Sequence, residues 1–313
     1  MHHKLRKINL NGFILPFAGK GKPSNLGDGE LAINASLLRP ASMVIDRQDN
    51  VFFVSPSGNG WIIRQIDSEG TIRLFAGNSK VGTQGDNGRA INASFVSIRD
   101  ITIDADNNIY VADGANRFIR KIDRKGIITK FYEKQWDALP DDVHPNGLAI
   151  DSNGNLYVSD SGMSRIWKVD KNGTISHFAG NGEFMDSGDG GSALNAAIRS
   201  PQDLVISPTG ELYIAEERTH RIRKIDKEGI IHLVAGTGMA GFSGDGGPAV
   251  DAQINHPSQM VFDKKGNLYF TDRINNRIRK IDPHGIITTI AGNGNFGYLQ
   301  DGLEVNIIVQ DFP

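Results

Sequence analysis

The chain has 313 residues, with 34 Lys and Arg against 36 Asp and Glu, and no cysteine. Near-neutrality removes any global electrostatic case for nucleic acid or an anionic membrane, and the lack of cysteine excludes disulfides and thiol chemistry. No run is apolar over the length of a signal-peptide core or a membrane span, so no membrane association is expected and a cytoplasmic location follows if the N-terminus is native.

In chain order, the first elements are Arg6-Lys7-Ile8 and Phe13 to Gly19, which match the third and fourth strands of a unit that then recurs. The recurrence is plainest late in the chain. Gly210-Glu211-Leu212-Tyr213 through Lys224-Ile225-Asp226 returns 56 residues on as Gly266-Asn267-Leu268-Tyr269 through Lys280-Ile281-Asp282. A fixed period of this size marks a supersecondary unit that buries its apolar faces only against copies of itself.

Each unit holds four short runs that read as strands. The first follows Pro or Ile (Pro40, Ile98, Pro145, Pro201, Pro257) and alternates apolar residues. After an Asp/Asn/Gly turn comes an aromatic, β-branched strand such as Leu156-Tyr157-Val158-Ser159-Asp160. The third carries R-I-R-K-I-D, and the fourth is the Ile286 to Ala291 type ending in Ala-Gly. None reaches helical length. Burial is expected to fall from the first strand to the fourth, as in a radial blade with its first strand innermost.

The pattern P-x-x-(apolar)-x-(apolar)-D, G-N-L-Y, N-R-I-R-K-I-D and G-I-I-x-x-(apolar)-A-G resembles the NHL repeat, and Gly241 to Ala249 resembles the linker of bacterial NHL proteins and teneurin propellers. The resemblance implies an all-β fold, a β-propeller on a six-bladed plan in a single domain spanning 1–313. Its repeats run approximately 20–77, 78–133, 134–180, 181–236 and 237–292, and a partial sixth blade pairs 1–19 with 293–313. The chain stops where a sixth first strand would begin. Either the sequence is a truncated product or fragment, the reading favoured here, or Leu303 to Val309, richer in β-branched residues than the other linkers, folds inward as a substitute strand; in both cases the N-terminal hairpin and C-terminal tail are expected side by side.

In such a fold the connections between blades, about 20 residues long, share one face with the turns from second to third strand. That face is expected to carry the binding residues. Asp189-Gly190-Gly191, Asp245-Gly246-Gly247, Asp28-Gly29 and Asp86-Asn87-Gly88 each offer one carboxylate, too few for a calcium shell, and bonding to their own loop amides is expected. Asp160 with Arg165, Glu216 with Arg221 and Asp272 with Arg277 read as bracing ion pairs, and the R-I-R-K runs as a solvated rim.

At the axial ends of the first strands stand Arg39, Ser97, His144, Ser200 and His256, and two residues past the strand-opening position Ser42, Asp100, Gly147, Asp203 and Gln259. His144, His256, Asp100 and Asp203 form the alternative metal set, for calcium or zinc, in a hydrolase or lyase akin to the related peptide-amidating, gluconolactonase, paraoxonase and virginiamycin-lyase propellers. Neither histidine lies in a local ligand motif, and a water-lined channel mouth has the same polarity. RNA binding through Arg39, Arg99 and Arg199 is opposed by the linker aspartates on the same face. The connection over 133–144 is short and acidic and contains Trp136, which leaves a notch.

The expectation is a noncatalytic, monomeric scaffold without a cofactor, binding a protein, peptide or glycan on its long-loop face. Its contact residues are Arg39, Arg99, Trp136, His144, Asn146, Gln202, His256 and Gln259.

Overall fold

The computed structural model describes residues 3–9, 13–131 and 143–295. The chain divides into two compact units, Met1–Leu139 and Pro140–Pro313. The first holds a hairpin of β1 (Leu5–Ile8) and β2 (Ile14–Ala18), then blade 1 from β3 (Ala41–Ile45), β4 (Val51–Ser57), β5 (Gly60–Ile66) and β6 (Ile72–Ala76). Blade 2 follows the short β7 (Gly88–Arg89) with β8 (Ile98–Ile103), β9 (Ile109–Asp113), β10 (Phe118–Ile122) and β11 (Ile127–Lys130).

The second unit holds three blades. Blade 3 is β12 (Pro145–Ile150), β13 (Leu156–Asp160), β14 (Arg165–Val169) and β15 (Ile175–Ala179). Blade 4 is β16 (Pro201–Ile206), β17 (Leu212–Glu216), β18 (Arg221–Ile225) and β19 (Ile231–Ala235). Blade 5 is β20 (Pro257–Phe262), β21 (Leu268–Asp272), β22 (Arg277–Ile281) and β23 (Ile287–Ala291).

Every blade is an antiparallel meander in sequence order, the blade type of a β-propeller. Five full blades stand among the described residues, and the hairpin forms its own two-stranded sheet where the partial sixth blade was expected. The six-bladed count, the substitute strand Leu303 to Val309 and its place beside the hairpin turn on residues outside those described.

Carboxylates close the turns. Asp263 Oδ1 accepts the N–H groups of Lys265 (2.9 Å) and Asn267 (2.8 Å), satisfying donors that the hairpin leaves over. Asp46, Asp104 and Asp151 do the same in their blades, as do Asp67, Asp123, Asp170, Asp226 and Asp282 between third and fourth strands. Blade 4 replaces the first of these with Ser207, whose hydroxyl accepts from Glu211 N–H (3.0 Å).

The expected burial gradient needs correcting. The second strand, not the first, is the most buried: β9 and β13 are buried throughout, whereas β3 and β16 are only partly so. A second strand has a partner on both edges and packs on both faces. The first strand bulges near its start in every blade, as between Pro201 and Asp203. Ser159 and Thr271 hydroxyls cap the N–H groups that the bulge frees, on Gly147 (2.7 Å) and Gln259 (3.0 Å).

The linkers are hydrogen-bonded to the blades. Gly19, Gly77, Gly180 and Gly236 each donate to an alanine carbonyl inside the following linker (Ala32, Ala90, Ala193 and Ala249) at 2.8–3.0 Å. Further along, Gly29, Asn87, Gly190 and Gly246 donate to Ile72, Ile128, Ile231 and Ile287, the outer strands of the next blades, at 2.7–2.8 Å. Each such linker therefore covers an otherwise open sheet edge and ties two blades together.

Candidate functional site

The chemistry-bearing residues fall into three groups, of which the first is an internal frame. Arg64, Arg120, Arg223 and Arg279 are fully buried on the third strands. Each meets the linker aspartate: Arg64 with Asp28 at 2.7 Å, Arg120 and Arg223 with Asp86 and Asp189 at 2.9 Å, Arg279 with Asp245 at 2.8 Å. Each also donates to a linker carbonyl, at Ser36, Ser94, Ala197 or Gln253.

The acid ending the second strand completes the group, with Glu216 3.3 Å from Arg223 and Asp272 3.5 Å from Arg279. It also accepts the backbone N–H that leads into the first strand, from Ser97, Arg199 or Asn255. Three expectations are thereby corrected. The linker carboxylates bond to arginine, not to their own amides. The second arginine of R-I-R-K is core, not rim. The strand-end acid meets the arginine seven residues on, not five, because alternate residues of the third strand share a face.

Its neighbour points elsewhere. Arg221 pairs with Asp186 and donates to the Thr237 carbonyl (3.3 Å), and the Arg277 guanidinium lies 3.6 Å from the Phe242 ring centroid. Blade 3 lacks the frame at both ends: no G-D-G loop precedes it, and Trp167 replaces the arginine, its indole N–H facing Asp160 and its ring 5.6 Å from His177. In blade 1, Ser55 replaces the acid and meets Asn25 Oδ1 (2.9 Å) and the Leu38 carbonyl (2.5 Å).

Burial raises the carboxyls of Asp113, Asp160 and Asp272 above the ordinary range, against their hydrogen bonds. Glu216 is pushed up to about 7, because its desolvation, with Asp186 nearby, outweighs Arg223.

The second group lies at the starts of the first strands, and much of it joins blades. Ser42 donates to Asp100 (2.5 Å) and accepts from Ile101 N–H (3.1 Å), between blades 1 and 2. Asn146 Nδ2 donates to the Gln202 carbonyl (3.0 Å) and Oε1 (2.8 Å), between blades 3 and 4. Asp203 Oδ2 accepts Met260 N–H (2.6 Å), between blades 4 and 5. Gln259 is held through its N–H by Thr271.

Arg99 and His144 are exposed, as is Arg39, whose N–H donates to His3 Nδ1 (3.1 Å). His256 repeats that contact with His220 Nδ1 (3.2 Å), their rings 4.8 Å apart, and its own Nδ1 meets Asn255 Oδ1 (2.8 Å). His3, Arg39, His220 and His256 all have left-handed backbone, and the accepting Nδ1 places the His220 proton on Nε2. Burial and His256 push the His220 imidazole down. Sequence reasoning singled out His256 and missed His220; the signal was the 36-residue spacing that also separates His3 from Arg39.

Asp100 belongs to the first unit and His144, Asp203 and His256 to the second. Among the described residues no three His, Asp or Glu side chains gather into a metal shell. Trp136 lies outside those residues.

The third group is exposed. Lys22-Pro23, Lys80-Val81, Glu183-Phe184 and Met239-Ala240 occupy equivalent linker positions, all outward and all chemically different. The second strand turns hold these segments, since Asn116 donates to the Gly82 carbonyl (3.1 Å) and Asn275 to that of Gly241 (2.6 Å).

A repeat that keeps Arg, Asp and Gly inside and varies outside is matched by two family models, the teneurin NHL domain over 82–139 and 237–301 and the NHL repeat over 143–169. The chain belongs to the NHL-repeat family. Among curated NHL proteins it is 34% identical over 287 residues to human Teneurin-4, covering 76% of this chain and 10% of that one. It is 26% identical to bovine NHL repeat-containing protein 2, covering 83% of this chain and 41% of the other. The chain thus spans well under half the length of these relatives. Of solved structures, virginiamycin B lyase from Staphylococcus aureus superposes with a TM-score of 0.52 at 20% identity, over 80% of this chain and 69% of that one. At that identity the likeness is one of fold.

Proposed function

We propose that this NHL propeller is a noncatalytic scaffold whose linkers and second strand turns bind a polypeptide partner. The observation that carries the reading is the division of labour within the linker. Its recurring Asp and Gly are spent on the blade, while positions 22–23, 80–81, 183–184 and 239–240 are outward, held by a hydrogen-bonded backbone, and different in each repeat. A constant frame with a variable exposed rim is how repeat proteins present recognition residues. At the axial ends, Asp203 and Asn146 support the reading differently, by spending polar atoms on joining blades.

The test is site-specific photo-crosslinking in the cell of origin. A benzophenone side chain at Phe184 should give a discrete adduct, and one at exposed Lys264, on the turn at the opposite end of blade 5, should give none. Equal labelling from both positions, or none from Phe184, overturns the proposal.

A further inference from the structure

Arg279 pairs with two carboxylates, Asp245 and Asp272, but Arg223 pairs with three. Asp189 lies 2.9 Å from its Nε, and Glu216 and Asp186 lie 3.3 Å and 3.9 Å from its Nη1. The additional one is Asp186, since the matching linker positions hold Asn25, Thr83 and Phe242. Asp186 Oδ2 pairs with Arg221, while Oδ1 is buried without a hydrogen-bond partner. Nη1 of a guanidinium has two N–H groups. The Ala197 carbonyl takes one at 2.8 Å, so Glu216 and Asp186 compete for the other.

The remaining groups around Glu216 leave that competition in place. Its Oε2 accepts Arg199 N–H (3.0 Å) and the Thr219 hydroxyl (3.4 Å), but the Arg199 side chain is exposed. Glu217, next in the chain, is bound to Arg273, and Asp189 occupies Arg223 Nε. Two buried carboxylates at one guanidinium disfavour joint ionisation. Asp186 is also a tie of the linker segment 183–187, whose Phe184 and Met185 are 61% and 63% exposed. The Ser187 carbonyl, which accepts from Arg223 Nη2 at 2.9 Å, is a second tie.

We propose that Glu216 is a proton-operated latch on this segment. Neutral Glu216 gives up its share of Arg223, which then serves Asp186 and Asp189 and holds the linker to blade 4. Ionised Glu216 takes the guanidinium, repels Asp186 and frees the segment. Burial pushes the Glu216 carboxyl up to about 7, so the segment is held below that pH and released above it. The latch rests on contacts inside blade 4 and does not depend on the scaffold reading.

The test is the mobility of a nitroxide attached through Phe184→Cys, the chain having no cysteine of its own, read by electron paramagnetic resonance. Between about pH 6 and about pH 8, across the Glu216 pKa of about 7, the mobile fraction should rise about threefold or more. A label through Ala240→Cys, at the matching position of blade 5 where Phe242 replaces Asp186, should not change. Glu216→Gln should keep the Phe184 label held at both pH values, and Asp186→Asn should leave it mobile at both. A label at Phe184 indifferent to pH, an equal change at Ala240, or a change that persists in Glu216→Gln overturns the latch. If Glu216→Gln does not fold, the Ala240 comparison and Asp186→Asn decide. Failure of the crosslinking test with the pH response intact removes the scaffold reading and leaves the latch standing.

Discussion

A guanidinium with no exposed surface is stable only if charge and hydrogen bonds replace water, and in blade 5 Asp245, Asp272 and the Gln253 and Ser243 carbonyls do so for Arg279. The partners are unequal: Asp272 is fully buried, whereas the Asp245 side chain is 36% exposed. Arg279→Ala strands buried Asp272 and should cost about 3–5 kcal/mol, as for any broken buried pair. Asp245→Ala leaves the arginine its other partners and should cost clearly less; chemical denaturation of the two variants gives the order. Glu216 makes a pH prediction. Its folded pKa of about 7 lies above the ordinary 4.5, so the folded chain binds the extra proton more tightly than the unfolded one. The stabilisation is complete below pH 4.5 and is lost as pH rises through about 7. Glu216→Gln should therefore gain stability relative to the parent between pH 5 and 8, read as the difference between two denaturation series. A parallel pair of curves would show that Glu216 does not titrate in this window.

At the scale of the element, the linker is the device that distinguishes this blade from a bare four-stranded sheet. Gly236 turns the chain out of blade 4 at φ +94°, and a Cβ there would sit 2.2 Å from the His220 carbonyl oxygen, whereas at Gly246, φ +84°, a Cβ meets nothing within 4 Å. Gly246→Ala should cost only the left-handed backbone penalty, about 1 kcal/mol, and Gly236→Ala should cost more because the backbone must move as well. Thermal melts of the two variants test this, and equal shifts would refute the steric argument. The strands, their turns and the blade order could be read from the chain because Ile, Tyr and Asp recur at fixed places within one repeat. The buried arginine could not, since its aspartate lies 34 residues upstream in blades 2, 4 and 5 and only the fold joins them. Two signals were nevertheless present: that constant spacing, and the joint loss in blade 3 of the linker aspartate and, at Trp167, of the arginine.

For the whole molecule, the apolar packing shows that a blade is not an independent folding unit. One core cluster joins Phe52, Val54 and Ile63 of blade 1 to Ile101 and Val111 of blade 2. In the second unit, one joins Ala149 and Ile166 of blade 3 to Leu204 and Ile214 of blade 4, and another joins Ala215 and Ile222 of blade 4 to Met260 and Phe270 of blade 5. Polar joints such as Asp203 to Met260 reinforce the same boundaries. Stability should then be distributed as intrinsic blade terms plus nearest-neighbour terms. Phe270 is fully buried on the second strand of blade 5 in the cluster shared with blade 4. Phe270→Ala should cost about 3–5 kcal/mol through lost transfer energy and the cavity left behind. The loss should not be confined to its own blade. Hydrogen–deuterium exchange should quicken in β17 and β18 of blade 4 as well as in β21 and β22 of blade 5, with a smaller change in β13 of blade 3, which reaches Phe270 only through blade 4. Faster exchange limited to blade 5 would mean that the blades unfold singly and that the shared clusters contribute little coupling.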